Sequence, residues 1–207
     1  MHIFLIVTAL YFLAVMSPGP DFIMVTRNTL LYSRQAAILT AIGISMGVMI
    51  HATYSMFGLA FLANSYQNII PLIQYAGGAY LIYIGANSFF SGHIQQQKSQ
   101  IFSQHISQFE AFMNGFFCNV FNPKACLFFI SFFTVLIQYQ VPLYLQFLYA
   151  IEVVVLTLLW FTGVAIFFTI PSINQKLALV QHILMKIFGV LLCGLGFYLL
   201  ILNVLPA

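Results

Sequence analysis

Long apolar stretches dominate this chain, and a helix needs about 20 of them in a row to cross a hydrocarbon core. On that measure six spans are predicted, at residues 3–27, 36–63, 71–91, 112–137, 143–170 and 184–204. The one long polar piece is the central connection, 92–111, within "GHIQQQKSQIFSQHISQFEAF". There Phe102, Ile106, Phe109 and Met113 recur at helical spacing, which predicts a segment lying along the cytoplasmic interface and leading into the fourth span. Its glutamines read as a solvated face. The fold class expected is all-α: one polytopic membrane domain over residues 1–207, with helices 1 and 4 broken.

The breaks come from two interruptions of the apolar pattern. "MSPGPD" places Pro18, Gly19, Pro20 and Asp21 inside the first span, and "NVFNPKA" places Asn122, Pro123 and Lys124 inside the fourth. Proline lacks an amide donor and clashes with the preceding turn, while glycine frees the backbone, so residues 17–21 are expected to leave the helix. Peptide groups exposed this way cost several kcal/mol each in lipid, so a break persists only where protein or a watery cavity satisfies it. Each break falls in the first span of a three-span set, and Pro18 and Pro123 stand 105 residues apart. Spans three and six echo each other through Gly78 and Gly85 against Gly189 and Gly196, both pairs seven apart. Three is odd, so the second set must cross the bilayer upside down relative to the first. The predicted organisation is therefore repeat 1 at about 1–91, the connection at about 92–111, and repeat 2 at about 112–207. Matching interruptions in two such repeats are the best sequence pointer to a transporter's binding site.

Composition removes the soluble alternatives. Hydrophobic residues make up 62% of the chain and charged residues 4%, against about 25% charged in an ordinary soluble domain. Six Lys/Arg and three Asp/Glu give a net charge of +3, too sparse for a nucleic-acid face. The basic residues instead report topology. Arg27, Arg34, Lys98, Lys176 and Lys186 lie in or beside connections 28–35, 92–111 and 171–183, whereas connections 64–70 and 138–142 have none. The positive-inside bias then puts both termini outside. The amino terminus has no Lys or Arg ahead of its apolar run and no Ala-x-Ala site behind it, so it reads as part of the mature chain rather than a signal peptide. Cys118, Cys126 and Cys193 lie in apolar runs without metal-type spacing and read as buried small hydrophobes.

Few residues carry chemistry. A charge within the bilayer costs roughly 3 kcal/mol on insertion scales, so Asp21 and Lys124 should face the bundle interior or snorkel. Asp21 suits an ammonium or a proton and Lys124 a carboxylate; together they suit a zwitterion. Helix rise places Asp21 roughly 27 Å from the start of span one, near the cytoplasmic side, where it also suits an N-cap of the segment after the break. Lys124 lies about 18 Å into span four, an interior depth. Asn122 is placed to cap or to satisfy freed backbone groups, and Asn119 to line a substrate path. Glu152 is surrounded by apolar residues in span five, which fits either proton coupling or an ion pair with Lys124. His51 shares one stripe of span two with Gly43 and Gly47, at i, i+4 and i+8. The glycines read as close helix packing, and His51 as a hydrogen-bonded interior histidine or a relay. No metal cluster, phosphate loop or ordered Ser/His/Asp set is present in the sequence, so neither a cofactor nor an enzyme is expected.

At "MSPGPDF", "GISMGVMIH", "GGAYLIYIGA" and "GFFCNVFNPKACLFF" the chain resembles the LysE/RhtB family of amino-acid exporters, especially its threonine and homoserine branch. The resemblance covers most of residues 10–60, 73–92 and 113–133. It implies a multi-pass protein of the bacterial cytoplasmic (inner) membrane that moves small amino acids or related metabolites outward by alternating access, driven by protons, with a homo-oligomer compatible. On matching positions it points to Pro18, Gly19, Pro20, Asp21, Asn122, Pro123 and Lys124. Two other readings compete: an accessory or structural membrane subunit whose glycine stripes serve partner helices, and a thiol-redox carrier. Redox carriers related to this family place one cysteine in each broken span, whereas here Cys118 and Cys126 share span four and span one has none.

Overall fold

The computed structural model describes residues 8–9, 11–12, 14–16, 19–65, 69–90, 105–138 and 140–167, and then 183, 186–187, 189–194, 196–198 and 200–201. Its helices are α1 (Pro20–Leu31), α2 (Arg34–Ser65), α3 (Ile69–Phe90), α4 (Gln108–Val120), α5 (Pro123–Gln138) and α6 (Leu143–Phe167). Helical residues between 8 and 16 precede α1, and others between 183 and 201 follow α6. Among the described residues there is no strand. Two single helices, Arg34–Leu59 and Leu143–Phe167, are long and apolar enough to cross a membrane. Gln108–Val120 and Pro123–Ile137 together form one more span, bent by 56°.

The second, third, fourth and fifth predicted spans coincide closely with α2, α3, the α4/α5 pair and α6. Two boundaries differ. The predicted connection 28–35 shrinks to Tyr32 and Ser33, because α1 continues to Leu31 and α2 starts at Arg34. That tight corner is closed locally: the amides of Tyr32 and Ser33 both reach the Asn28 carbonyl at 3.2 Å, and the Ser33 hydroxyl accepts from the Ala36 amide at 3.1 Å. The first break ends earlier than expected. Gly19 is a bend, extended at φ −161° and ψ −170°, and the helix resumes at Pro20 in its first turn, where a missing amide is harmless, so Pro20 and Asp21 are helical. Ser17 and Pro18 lie outside the described residues, as do the predicted interfacial residue Phe102 and positions 168–182.

α2 is the central helix and packs against α1, α3, α4, α5 and α6. Its closest neighbour is α4, and glycine explains why. A Cβ on Gly43 would stand 2.0 Å from the Phe112 carbonyl oxygen, and one on Gly115 would stand 2.0 Å from that of Thr40, so the two backbones touch. The Thr40 hydroxyl, 3.0 Å from the Ala111 carbonyl, also takes the Asn28 amide at 2.8 Å, tying α1 and α4 to α2. The glycines of α3 and of the last helical residues meet reciprocally. A Cβ on Gly78 would be 2.9 Å from the Gly196 carbonyl oxygen, and one on Gly85 would be 2.6 Å from that of Gly189. Pairing 78 with 196 and 85 with 189 requires the two helices to run antiparallel. Most of the aromatic core lies on α5, where Phe128, Phe129 and Phe132 surround Tyr11.

Candidate functional site

The second break is built by Asn122. α4 ends at Val120, α5 begins at Pro123, and the Asn122 side-chain oxygen accepts the Lys124 amide at 3.0 Å. Asn122 therefore caps α5, satisfying a first-turn amide that no helical carbonyl reaches. The first break is finished differently. Gly19 is its N-cap without a side-chain bond, Pro20 comes first, and Asp21 sits in the first turn. Asp21 is thus not the cap that aspartate's propensity suggested; glycine's open backbone fills that position, which leaves the carboxylate available elsewhere.

It points at the other break. Asp21 Oδ2 accepts from the Asn119 amide at 2.9 Å and from the Asn122 amide at 3.2 Å, across 98 and 101 residues of sequence. Lys124 is near enough to act electrostatically on Asp21. Each charge follows the proline that begins its helix: Pro20-Asp21 in α1 and Pro123-Lys124 in α5. Both line one cavity with Gly19, Asn119 and Asn122. Its apolar wall comes from Tyr11, Phe22, Val48, Leu81, Phe128, Phe129, Phe161 and Leu192, so every helical segment of the described chain contributes to it. The cavity has a volume of about 60 Å³.

Two acceptor oxygens of cavity-lining residues, Asp21 Oδ1 and Asn119 Oδ1, are buried with no hydrogen-bond partner among the described residues, the second of them lying against Gly47. Buried acceptors of this kind cost free energy until a donor meets them. The arrangement offers a donor-hungry carboxylate and amide oxygen beside an ammonium, with greasy walls around both. That is the complement of a small molecule carrying a cationic donor group and an anionic group on a short apolar body.

Other residues singled out from sequence stand outside the cavity wall. His51 is one bond away, with Nε2 2.9 Å from the Asn119 carbonyl oxygen. Glu152 is not a lining residue: its Oε1 accepts the Thr8 hydroxyl at 2.6 Å, and Oε2 is buried without a hydrogen-bond partner among the described residues. Of the two sequence readings of Glu152, proton coupling or an ion pair with Lys124, neither is tested by this contact with the helical residues ahead of α1. Gly47, read as a helix-packing residue, makes room for a side chain instead, since a Cβ there would stand 2.7 Å from Asn119 Oδ1. Sequence reasoning passed over Tyr11 and Thr157, whose hydroxyls bond to each other while both residues line the cavity. Their only sequence signal was polarity within apolar runs. Among the described residues no group of His, Cys, Asp and Glu is arranged to hold a metal.

Known proteins supply the context for this geometry. The family model for the LysE type translocator matches residues 12–203. The chain is 29% identical over 204 residues to the threonine efflux protein of Salmonella typhimurium, covering 97% of this chain and 98% of that one. It is 29% identical over 202 residues to the threonine efflux protein of Escherichia coli K12, covering 96% and 98%. A Bacillus subtilis membrane protein of uncharacterized function, YrhP, is 26% identical over 204 residues, covering 95% and 97%. No solved structure matches significantly.

Proposed function

The chain belongs to the LysE type translocator family, and from that premise we propose that it is a secondary exporter of small amino acids, threonine-like or homoserine-like in size. The relatives named for threonine efflux support the substrate class. One observation carries the site: both helix breaks open on a single cavity that holds Asp21 and Lys124. The substrate ammonium binds Asp21 Oδ1 and Asn119 Oδ1, acceptors of cavity-lining residues with no hydrogen-bond partner among the described residues. Its carboxylate binds the Lys124 ammonium, where the positive end of the α5 dipole adds to the attraction.

The protein works in the bacterial cytoplasmic membrane as six spans in two inverted repeats, with both termini outside, and cycles by alternating access. A proline followed by a charge begins both α1 and α5, at Pro20-Asp21 and Pro123-Lys124, which supports the repeat, as do the reciprocal contacts of Gly78 with Gly196 and Gly85 with Gly189. Inward proton flow drives export, and Glu152, a carboxyl surrounded by apolar residues in the sequence, takes part in it.

Efflux of labelled threonine from proteoliposomes, with and without an inward-directed pH gradient, tests this reading. Parental protein should empty the vesicles faster with the gradient. Asp21→Asn and Lys124→Met should each reduce the rate at least about tenfold, the scale of one lost charged hydrogen bond, while inserting normally. Parental flux in both folded variants would remove the assigned site.

A further inference from the structure

The Asn119 carbonyl is the acceptor that an unbroken α-helix pairs with the amide of residue 123. Residue 123 is proline and has no amide hydrogen. His51, from the central helix α2, fills that place: its Nε2 lies 2.9 Å from the Asn119 oxygen. A carbonyl only accepts, so the imidazole donates. The second lone pair of the same oxygen takes the Asn122 amide at 2.9 Å, so the carbonyl is fully used. The ring itself is held on three sides. Its Nδ1 lies 2.7 Å from the Tyr54 hydroxyl, its face stacks on Phe129 at an interplanar angle of 6°, and the residue is 2% exposed.

We propose that His51 is a positioning residue that supplies the hydrogen-bond donor missing at Pro123 and so fixes the end of α4, aiming the Asn119 side chain at Asp21. The chain of contacts is short. His51 holds the Asn119 main chain, and the Asn119 side chain donates to Asp21 Oδ2 at 2.9 Å. Without the imidazole N–H, the Asn119 carbonyl keeps only the tighter bond from Asn122, and the angle at which Asn119 enters the cavity is no longer set by α2. This role needs the N–H and not a change of charge, so an uncharged donor of similar reach should replace it. The consequence for transport rests on the site assigned to the cavity; the pinning of the break does not.

Both parts are measurable separately. In full-length protein with Cys126 and Cys193 replaced by alanine, the remaining Cys118, in the last turn of α4, reports the geometry of the break through its rate of labelling by a small methanethiosulfonate. His51→Leu should raise that rate about tenfold and raise the KM for threonine efflux by a similar factor. His51→Gln should stay within about twofold of the parent in both. Tyr54→Phe, which frees the outer edge of the ring but leaves it in place, should give a rise of about threefold and keeps the test decisive if His51→Leu does not fold. Parental labelling in His51→Leu and Tyr54→Phe would overturn the proposal, as would a His51→Gln protein as impaired as His51→Leu, because the imidazole would then matter for its titration. Faster labelling with unchanged efflux upholds the pinned break and removes the transport site.

Discussion

Gly47→Ala is the substitution that separates the cavity's chemistry from the fold's stability. An added Cβ would stand 2.7 Å from Asn119 Oδ1, 2.8 Å from its Cβ and 3.1 Å from its Cγ. The amide end of Asn119 can rotate away, but its Cβ is fixed to α4, so the two helices must part by roughly half an ångström or more to restore ordinary contact. That strain costs about 1–3 kcal/mol, and alanine's better helix propensity returns about 1 kcal/mol. Stability therefore falls by no more than about 2 kcal/mol. The larger loss is the bond from Asn119 to the Asp21 carboxylate, 2.9 Å in the parent. A hydrogen bond to a charged group contributes about 1.5–3 kcal/mol, so KM for efflux should rise roughly 10- to 100-fold. The assay is initial efflux of labelled threonine from proteoliposomes across a range of internal concentrations, beside a thermal melt in detergent. A double-mutant cycle sharpens it: with Asn119→Ala in the background, Gly47→Ala should have little further effect on KM, because the amide that bonds Asp21 is already gone, while the melt still reports the strain against the remaining Cβ. Additive losses, or a folded Gly47→Ala protein with parental KM, would refute the reasoning that Gly47 serves Asn119.

Other substitutions probe the frame around the site. Gly43→Ala should destabilise the protein by about 3 kcal/mol or more, since its Cβ would meet the Phe112 carbonyl oxygen at 2.0 Å and both atoms belong to helix backbones; Gly58→Ala, with nothing within 4 Å, should leave the melting temperature unchanged or slightly raised. Equal melting of the two would contradict the close α2/α4 contact. Ser107→Ala removes the bond that the Ser107 hydroxyl accepts from the Glu110 amide at 3.1 Å at the start of α4, and should cost about 1 kcal/mol in chemical denaturation while leaving efflux untouched.

What the sequence could reveal divides along a physical line. Periodicity, proline and glycine act within one helix, so the helices at predicted spans 2 to 5, the break at Asn122-Pro123 and the seven-residue spacing of the paired glycines could all be read from single segments. Partners across segments could not. Nothing local links Asp21 to Asn119 or Glu152 to Thr8; those contacts exist because α2 brings α1, α4 and α6 together. Local propensity even misdirected one assignment, since aspartate beside a break invites a capping role that Gly19 fills. One local signal was present but overlooked: Ser107-Gln-Phe-Glu110 is the pattern of a capping box and marks the start of α4 inside a stretch read as an interfacial surface. His51 joins the two levels. Pro123 frees the Asn119 carbonyl by local chemistry alone, so a donor had to exist somewhere, and a lone histidine on a stripe of glycines in another helix was its natural source. A proline inside an apolar span is therefore a search instruction as well as a breaker: it names the carbonyl four residues earlier and asks which distant side chain donates to it.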